Sequence, residues 1–396
     1  MLSKSSYISV QLLEPTIYIE PNSDACNVVR GTININVPKT TTVKTISVRF
    51  DGKMETKSYS FNSMDAGGFA QKKPLARQRL VLYPTLEQED AERPLVMNAG
   101  LTQFGFEMQI PSKLPETIDC SDVKVSYHVT AVMEYESSSS SSFFLLRTDG
   151  GRAVVKKQVA KQSVRVARLP YENILVGDAM SDPIDSRTHK SAWLHYQILV
   201  DKRAVALGSE LPITFRMLPT QDGVSVDRVG IQMLERRDLS RRESTRTSHY
   251  VHSIQPSSRN KTTIPSSPLT EAWEGTVQYG IPEGKSLVHS TQEYSDFNVS
   301  HTLLVSIALS VPSGGGVGSR FTATRVQKIV TFQASIDILD ETVGELDSLK
   351  LPTYDSPPPF DNSEYVFGEY DRKFADPPAY SEIYAATTAT ERNNNY

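Results

Sequence analysis

At 396 residues the chain is too long for one ordinary core, and about 100 to 200 residues per domain gives two domains and a tail. Its composition, 38% hydrophobic and 22% charged with a mean hydropathy of -0.34, lies in the globular range and outside the disordered and membrane classes. The net charge of -4 is uneven: residues 340–396 hold twelve acidic and four basic side chains, a net of -8, which leaves residues 1–339 at +4, too weak a field to argue for nucleic acid.

Strand signals begin at once. Ile8, Val10 and Leu12 alternate with polar residues, as do Ile33, Ile35 and Val37, the period of two of a sheet with one buried face. The pattern returns at Ile46, Val48 and Phe50, at Phe104 to Ile110, and most strongly from Val123 to Met133. Turn-forming residues separate the runs, for example Glu20-Pro21-Asn22-Ser23-Asp24. This predicts an antiparallel sandwich. From Leu169 to Lys190 a polar stretch broken by Pro170, Gly177 and Pro183 predicts a boundary. A second series follows at Leu194–Ile198, Leu211–Phe215, Val224–Met233, Leu303–Leu309 and Ile329–Ile338. The expected organisation is a sandwich over 1–170, a linker over 171–190, a second sandwich over 191–340 and a disordered acidic tail over 341–396. Helix content is expected to be low. The serine run 137–142, the polar stretch 253–267 and the Gly314-Gly315-Gly316 turn read as loops.

No window holds the roughly 18 apolar residues a membrane-crossing helix needs, and Met1 to Tyr7 lacks a secretory core, so a cytoplasmic protein is expected. Cys26 and Cys120 alone are too few for a disulfide framework or a paired-cysteine metal site, and read as half-buried thiols in a reducing compartment. His249 and His252 have metal-like spacing but no suitable partners nearby, Gly314–Gly316 leads to no phosphate-loop lysine, and no Gly-x-Ser-x-Gly elbow occurs. Neither an enzyme, a metal nor a cofactor is expected.

The sharpest motif is Pro377-Pro378-Ala379-Tyr380. Adjacent prolines favour the polyproline II conformation, which a WW domain clamps in an aromatic groove at little cost in ordering entropy, and Tyr380 fills a separate pocket. Leu351-Pro352-Thr353-Tyr354 keeps one proline and the tyrosine, so Pro352 and Tyr354 form a weaker second copy. Tandem WW domains engaging both would gain by effective concentration. The cluster Arg236, Arg237, Arg241, Arg242 and Arg246, interleaved with serines, suits an acidic cargo tail, anionic lipid headgroups or phosphorylation, and a solvated loop accounts for it as well.

The order Arg30-Gly31-Thr32-Ile33, Ile46-Ser47-Val48-Arg49-Phe50-Asp51-Gly52, Phe104-Gly105-Phe106, Val125-Ser126-Tyr127-His128-Val129 and Gly208-Ser209-Glu210-Leu211-Pro212-Ile213 resembles the α-arrestin family, the arrestin-related trafficking adaptors. The resemblance implies two arrestin-type β-sandwiches and an adaptor that recruits a HECT-type E3 ubiquitin ligase to membrane transporters or receptors for ubiquitination and endocytosis. It places the ligase contact on Pro377, Pro378 and Tyr380, implies peripheral recruitment to plasma membrane or endosomes, and makes Lys156, Lys157 and Lys161 candidates for self-modification beside the plainer reading of solvated strand lysines. The alternative is a non-ligase sorting scaffold of retromer-like or coat type. The buried charge network of visual and β-arrestins cannot be assigned from these residues.

Overall fold

The computed structural model describes residues 8–348 apart from 21–25, 58–68, 86–93, 112, 138–153, 171–182, 242–243, 266, 285, 293 and 314–324. The first half contains β1 (Ile8–Leu12), β2 (Thr16–Ile19), β3 (Asn27–Val37), β4 (Thr41–Lys57), β5 (Phe69–Tyr83), β6 (Leu95–Met97), β7 (Gly100–Ile110), β8 (Ile118–Asp119), β9 (Val123–Ser137) and β10 (Val154–Arg168). A three-stranded sheet β1-β3-β7 faces a seven-stranded sheet ordered β2-β10-β9-β4-β5, with β6 beside β4 and β8 beside β9. The second half contains β11 (Ile184–Asp185), β12 (His189–Lys190), β13 (Leu194–Val200), β14 (Ala204–Ala206), β15 (Glu210–Pro219), β16 (Ser225–Arg241), β17 (Ser244–Ile254), β18 (Trp273–Gly280), β19 (Phe297–Pro312) and β20 (Arg325–Leu339), followed by α1 (Glu341–Ser348). Its sheets are β11-β13-β15-β18, with β12 beside β13, and β14-β20-β19-β16-β17. The fold is all-β, built as two β-sandwiches, and α1 is the one helix among the described residues.

The alternating residues do what their period requires. Ile33, Ile35, Val48, Phe50, Val129 and Ala131 fill the first core, and Leu194, Ile213, Phe215, Leu303, Val305 and Ile307 the second. Leu239, Val288, Phe297 and Val299 of the second half pack onto the first core, so apolar packing crosses between the sandwiches. Phe50 stacks on Tyr127 at 5.7 Å between ring centroids. Gly52 makes room for that ring: a Cβ there would lie 2.5 Å from it, so no side chain fits without moving the tyrosine.

Four features depart from the sequence reading. Each sandwich carries a short parallel pair among its antiparallel strands, β2 with the last residues of β10 and β14 with the last residues of β20. β11 and β12, inside the stretch expected as linker, pair with β13. Asp340 opens α1 where a tail was expected: its Oδ1 accepts from Thr342 N at 3.0 Å and from Thr342 Oγ1 at 2.7 Å, a capping arrangement that satisfies an N-terminal amide of the helix. Cys120 is half-buried as expected, but Cys26 is exposed, since it lies just before β3 and outside either core.

Candidate functional site

The sequence-predicted ligand residues Pro352, Tyr354, Pro377, Pro378 and Tyr380 lie outside the described residues. Within them, the densest chemistry is a polar seam between the two sandwiches, built from the end of β10 and the segment leading into β8 and β9 on one side, and from β16, β20, residues 288–292 and residues 294–296 on the other.

At the centre of the seam Arg168 is almost fully buried, with its side chain 4% exposed. Its Nη1 and Nη2 donate to the two carboxylate oxygens of Asp337 at 2.8 and 2.6 Å, and its Nε lies 3.2 Å from Glu116 Oε1. The same Glu116 oxygen accepts from Gln292 N at 3.3 Å. A planar guanidinium meeting a carboxylate through two parallel bonds is the strong, directional form of an ion pair. Beside it the side chain of Tyr294 donates to Leu114 O at 2.9 Å, and His289 Nε2 lies 3.0 Å from Thr117 O.

A second cluster centres on Glu235, whose side chain is fully buried. Arg237 binds one of its oxygens. The other accepts from Val288 N at 3.2 Å and lies 3.2 Å from His252 Nε2 and 3.6 Å from His301 Nε2. Burial alone would raise the Glu235 carboxyl, but His301, Arg237 and the Val288 amide outweigh it and hold it at about 2. Burial likewise pushes His301 below the usual imidazole value, with Glu235 opposing. Arg237 then reaches across the seam: Nη1 donates to Ser121 Oγ at 3.1 Å and lies 3.5 Å from Asp122, and the guanidinium sits 4.2 Å over the ring of Tyr250, whose hydroxyl donates to Asp122 at 3.2 Å.

The third contact ties α1 to the first sandwich. Arg165 on β10 pairs with Asp340 at 2.9 Å and Glu341 at 2.7 Å, and Tyr18 on β2 donates to Thr342 O at 3.2 Å. Ala167, Ala206, Leu339 and Val343 close a small apolar cluster beneath. At the periphery Lys73 reaches Asp296 at 2.7 Å.

These positions correct the reading of the arginine cluster. Arg237 is not a free cation but a buried member of the seam, because alternation on β16 turns it to the inner face while Arg236 points outward and pairs with Asp238 at 3.0 Å. Arg242 lies outside the described residues, and Arg246 lies on β17. His252 serves Glu235, while Lys156, Lys157 and Lys161 are exposed along β10. No local signal marks the seam in the sequence, since Arg168 and Asp337 are separated by 169 residues and Arg165 and Glu341 by 176.

An open polar depression of about 630 Å³ adjoins the seam where β19 and β20 diverge, with Arg203, Ser290, Asn298, Ser300, His301 and Asp337 among its walls. Asp337 is engaged by Arg168, and His301 Nδ1 by Ser290 Oγ at 2.9 Å, so the depression offers mainly hydroxyls, amides and Arg203. The seam as a whole is suited to holding two sandwiches in one register and presenting their faces together, rather than to bond-making chemistry.

Comparison with known proteins agrees with this architecture. The family described as "Arrestin (or S-antigen), N-terminal domain" matches residues 17–145, and "Arrestin (or S-antigen), C-terminal domain" matches residues 190–326. Two proteins of Schizosaccharomyces pombe, each described as a putative arrestin-related trafficking adapter, are similar along much of the chain. One is 21% identical over 346 residues, 78% of this chain and 65% of its own length. The other is 23% identical over 260 residues, 58% of this chain and 37% of its own length. The chain therefore spans about two thirds of the first relative and just over a third of the second.

Proposed function

Because the chain belongs to the α-arrestin family, we propose that it is a trafficking adaptor without catalytic activity of its own, which brings a HECT-type E3 ubiquitin ligase to membrane transporters or receptors and so directs their ubiquitination and endocytosis. The observation that carries the ligase half of this reading is Pro377-Pro378-Ala379-Tyr380, placed after the second sandwich in an acidic segment too poor in apolar residues to build a core. In a segment of that composition core packing does not account for adjacent prolines, whereas a WW groove gives each a contact. Pro352 and Tyr354 act as a weaker second ligand. The body contributes cargo recognition, and the seam supports this role by holding both sandwiches as one platform.

The test is binding of purified WW domains from a HECT-type ligase to the intact chain, to Tyr380→Ala and to Tyr354→Ala. Tyr380→Ala is expected to lose binding by about 100-fold, because the pocket-filling side chain of a short linear motif carries much of its affinity. Tyr354→Ala is expected to lose about tenfold with tandem domains and little with a single one. Equal binding by the intact chain and Tyr380→Ala would instead favour the sorting-scaffold reading.

A further inference from the structure

The strand registers place the outward side chains of β5, β4, β9 and β10 in ranks across the seven-stranded sheet. One rank reads Arg79, Arg49, Thr130, Lys161. The next reads Val81, Ser47, Val132, Val159, and beyond it Glu134 stands opposite Lys157. On the other side of the basic rank lie Arg77, Asp51, His128 and Ser163. Arg49 and Arg79 are thus directly opposed like charges, an arrangement that costs a sheet stability and has no packing purpose.

The acids on this face do not cancel its cations. Asp51 is shared by Arg49 at 2.5 Å and Arg77 at 3.4 Å, and Glu55 by Lys53 at 3.1 Å and Lys72 at 3.3 Å. With Arg79, Lys157 and Lys161 there are seven cations against Asp51, Glu55 and Glu134, while Glu136, opposite Val155, and Asp119 each hold a further lysine, Lys44 at 3.2 Å and Lys124 at 3.0 Å, so the cations remain in excess by four. The local field is visible at His128, which burial pushes below its usual value and which Lys161 and Lys53 push further. Among these charges the valines stand open: Val159 is 53% exposed, Val155 46% and Val81 42%.

We propose that this face is a docking surface for an anionic lipid bilayer, whose headgroup phosphates and carboxylates meet the arginines and lysines while Val81, Val155 and Val159 enter the boundary between headgroups and acyl chains. The proposal deepens the adaptor reading by giving peripheral recruitment a location on the body. Its geometry favours a surface over a peptide. The charges spread over four strands, roughly 14 Å across and 27 Å along, whereas an extended acidic peptide meets charge along one line. Aliphatic side chains interleaved with lysines are also the composition of interfacial membrane contacts. Each Lys or Arg near an anionic bilayer contributes about a fivefold gain in partitioning, so this excess of cations over acids is sufficient for salt-sensitive recruitment.

The experiment is co-sedimentation of the full chain with phosphatidylcholine vesicles, with and without roughly 30% phosphatidylserine. Binding is expected only with phosphatidylserine, at about 0.1 M salt and not at about 1 M. Arg49→Gln/Arg79→Gln is expected to weaken it about 25-fold. Lys157→Gln/Lys161→Gln, on exposed β10 positions, should do the same without disturbing the fold, and Arg216→Gln, on the other sandwich, should change nothing. Equal binding to both vesicle types, or undiminished binding by both double variants at an unchanged unfolding midpoint, would overturn the proposal. So would capture of a soluble hexaglutamate peptide by a chain that ignores vesicles, which would make the face an acidic-peptide site. The WW-domain assay is unaffected by any of these outcomes, so failure here and failure of the ligase reading are separable.

Discussion

The sheets β2-β10-β9-β4-β5 and β14-β20-β19-β16-β17 repeat one plan, and their two faces have opposite relations to it. Each begins with a short strand parallel to the end of a long one and finishes on a hairpin edge. Inward, they are interchangeable in kind: Val48, Phe50, Val129 and Ala131 in the first match Met233, Leu303, Val305 and Ile307 in the second, all fully buried. Outward they diverge. Where the first has the rank Arg79, Arg49, Thr130, Lys161, the second has Val251, Leu234, Thr302, Ser335 and then Ser253, Gln232, Leu304, Gln333. The edges differ too: β5 is blunted by Lys72, Lys73, Pro74 and three register shifts against β4, while β17 pairs with β16 over eleven residues without one. Packing therefore constrains one side of each strand, and the other side is left to set what the sheet touches.

The strongest way to break the relation between the two sheets is to cut where β10 meets β20. Arg168→Leu leaves the buried Glu116 and the half-buried Asp337 without their shared cation, and is expected to cost about 3 kcal/mol in urea unfolding. A loss below about 1 kcal/mol would mean that water reaches the carboxylates and that apolar packing alone joins the sandwiches.

Acid should reveal the second seam cluster. The Glu235 carboxyl is held at about 2 against an ordinary 4.5, so the folded state binds its proton less readily than the unfolded chain. The resulting stability, about 3 kcal/mol, is fully present above pH 4.5 and is lost as pH falls toward 2. His301 adds to the same slope at higher pH, since its buried imidazole resists a charge that the unfolded chain accepts near 6.5. Unfolding midpoints of the intact chain and Glu235→Gln measured from pH 6 downward should converge in acid; parallel curves would show that Glu235 is not the group that titrates.

The smallest expected effect on stability sharpens the comparison most. Ser253→Lys/Gln333→Lys puts charge on exposed outward positions of β17 and β20, which are not neighbours in the sheet, and is expected to move stability by less than about 0.5 kcal/mol, while raising partition onto phosphatidylserine vesicles. A large destabilisation would show that outward positions are not free of packing demands after all.

Ten of the long or regular strands announce themselves by alternation, among them β1, β3, β4, β9, β19 and β20. β5, β10 and β17 do not; along β10, for example, Lys156, Gln158 and Gln162 stand where the apolar half of the pattern would be. The tail motif is legible because it is local, four adjacent residues whose conformation follows from two prolines. The seam is illegible because the partners that meet across it are more than a hundred residues apart and each alone resembles an ordinary surface charge.

Sequence by itself determined the all-β class, the two-sandwich architecture and the charge imbalance between body and tail, since each follows from local period or simple composition. Only the tertiary structure decided the fate of individual charges. Arg236 and Arg237 are chemically identical neighbours, yet one faces solvent and the other is 7% exposed between Glu235, Asp122 and Tyr250. Side-chain alternation sends them to opposite faces, and the neighbourhood on the inner face is completed by Asp122 from the other sandwich. A charge's energy depends on its desolvation and its partners, and both are properties of that assembled neighbourhood.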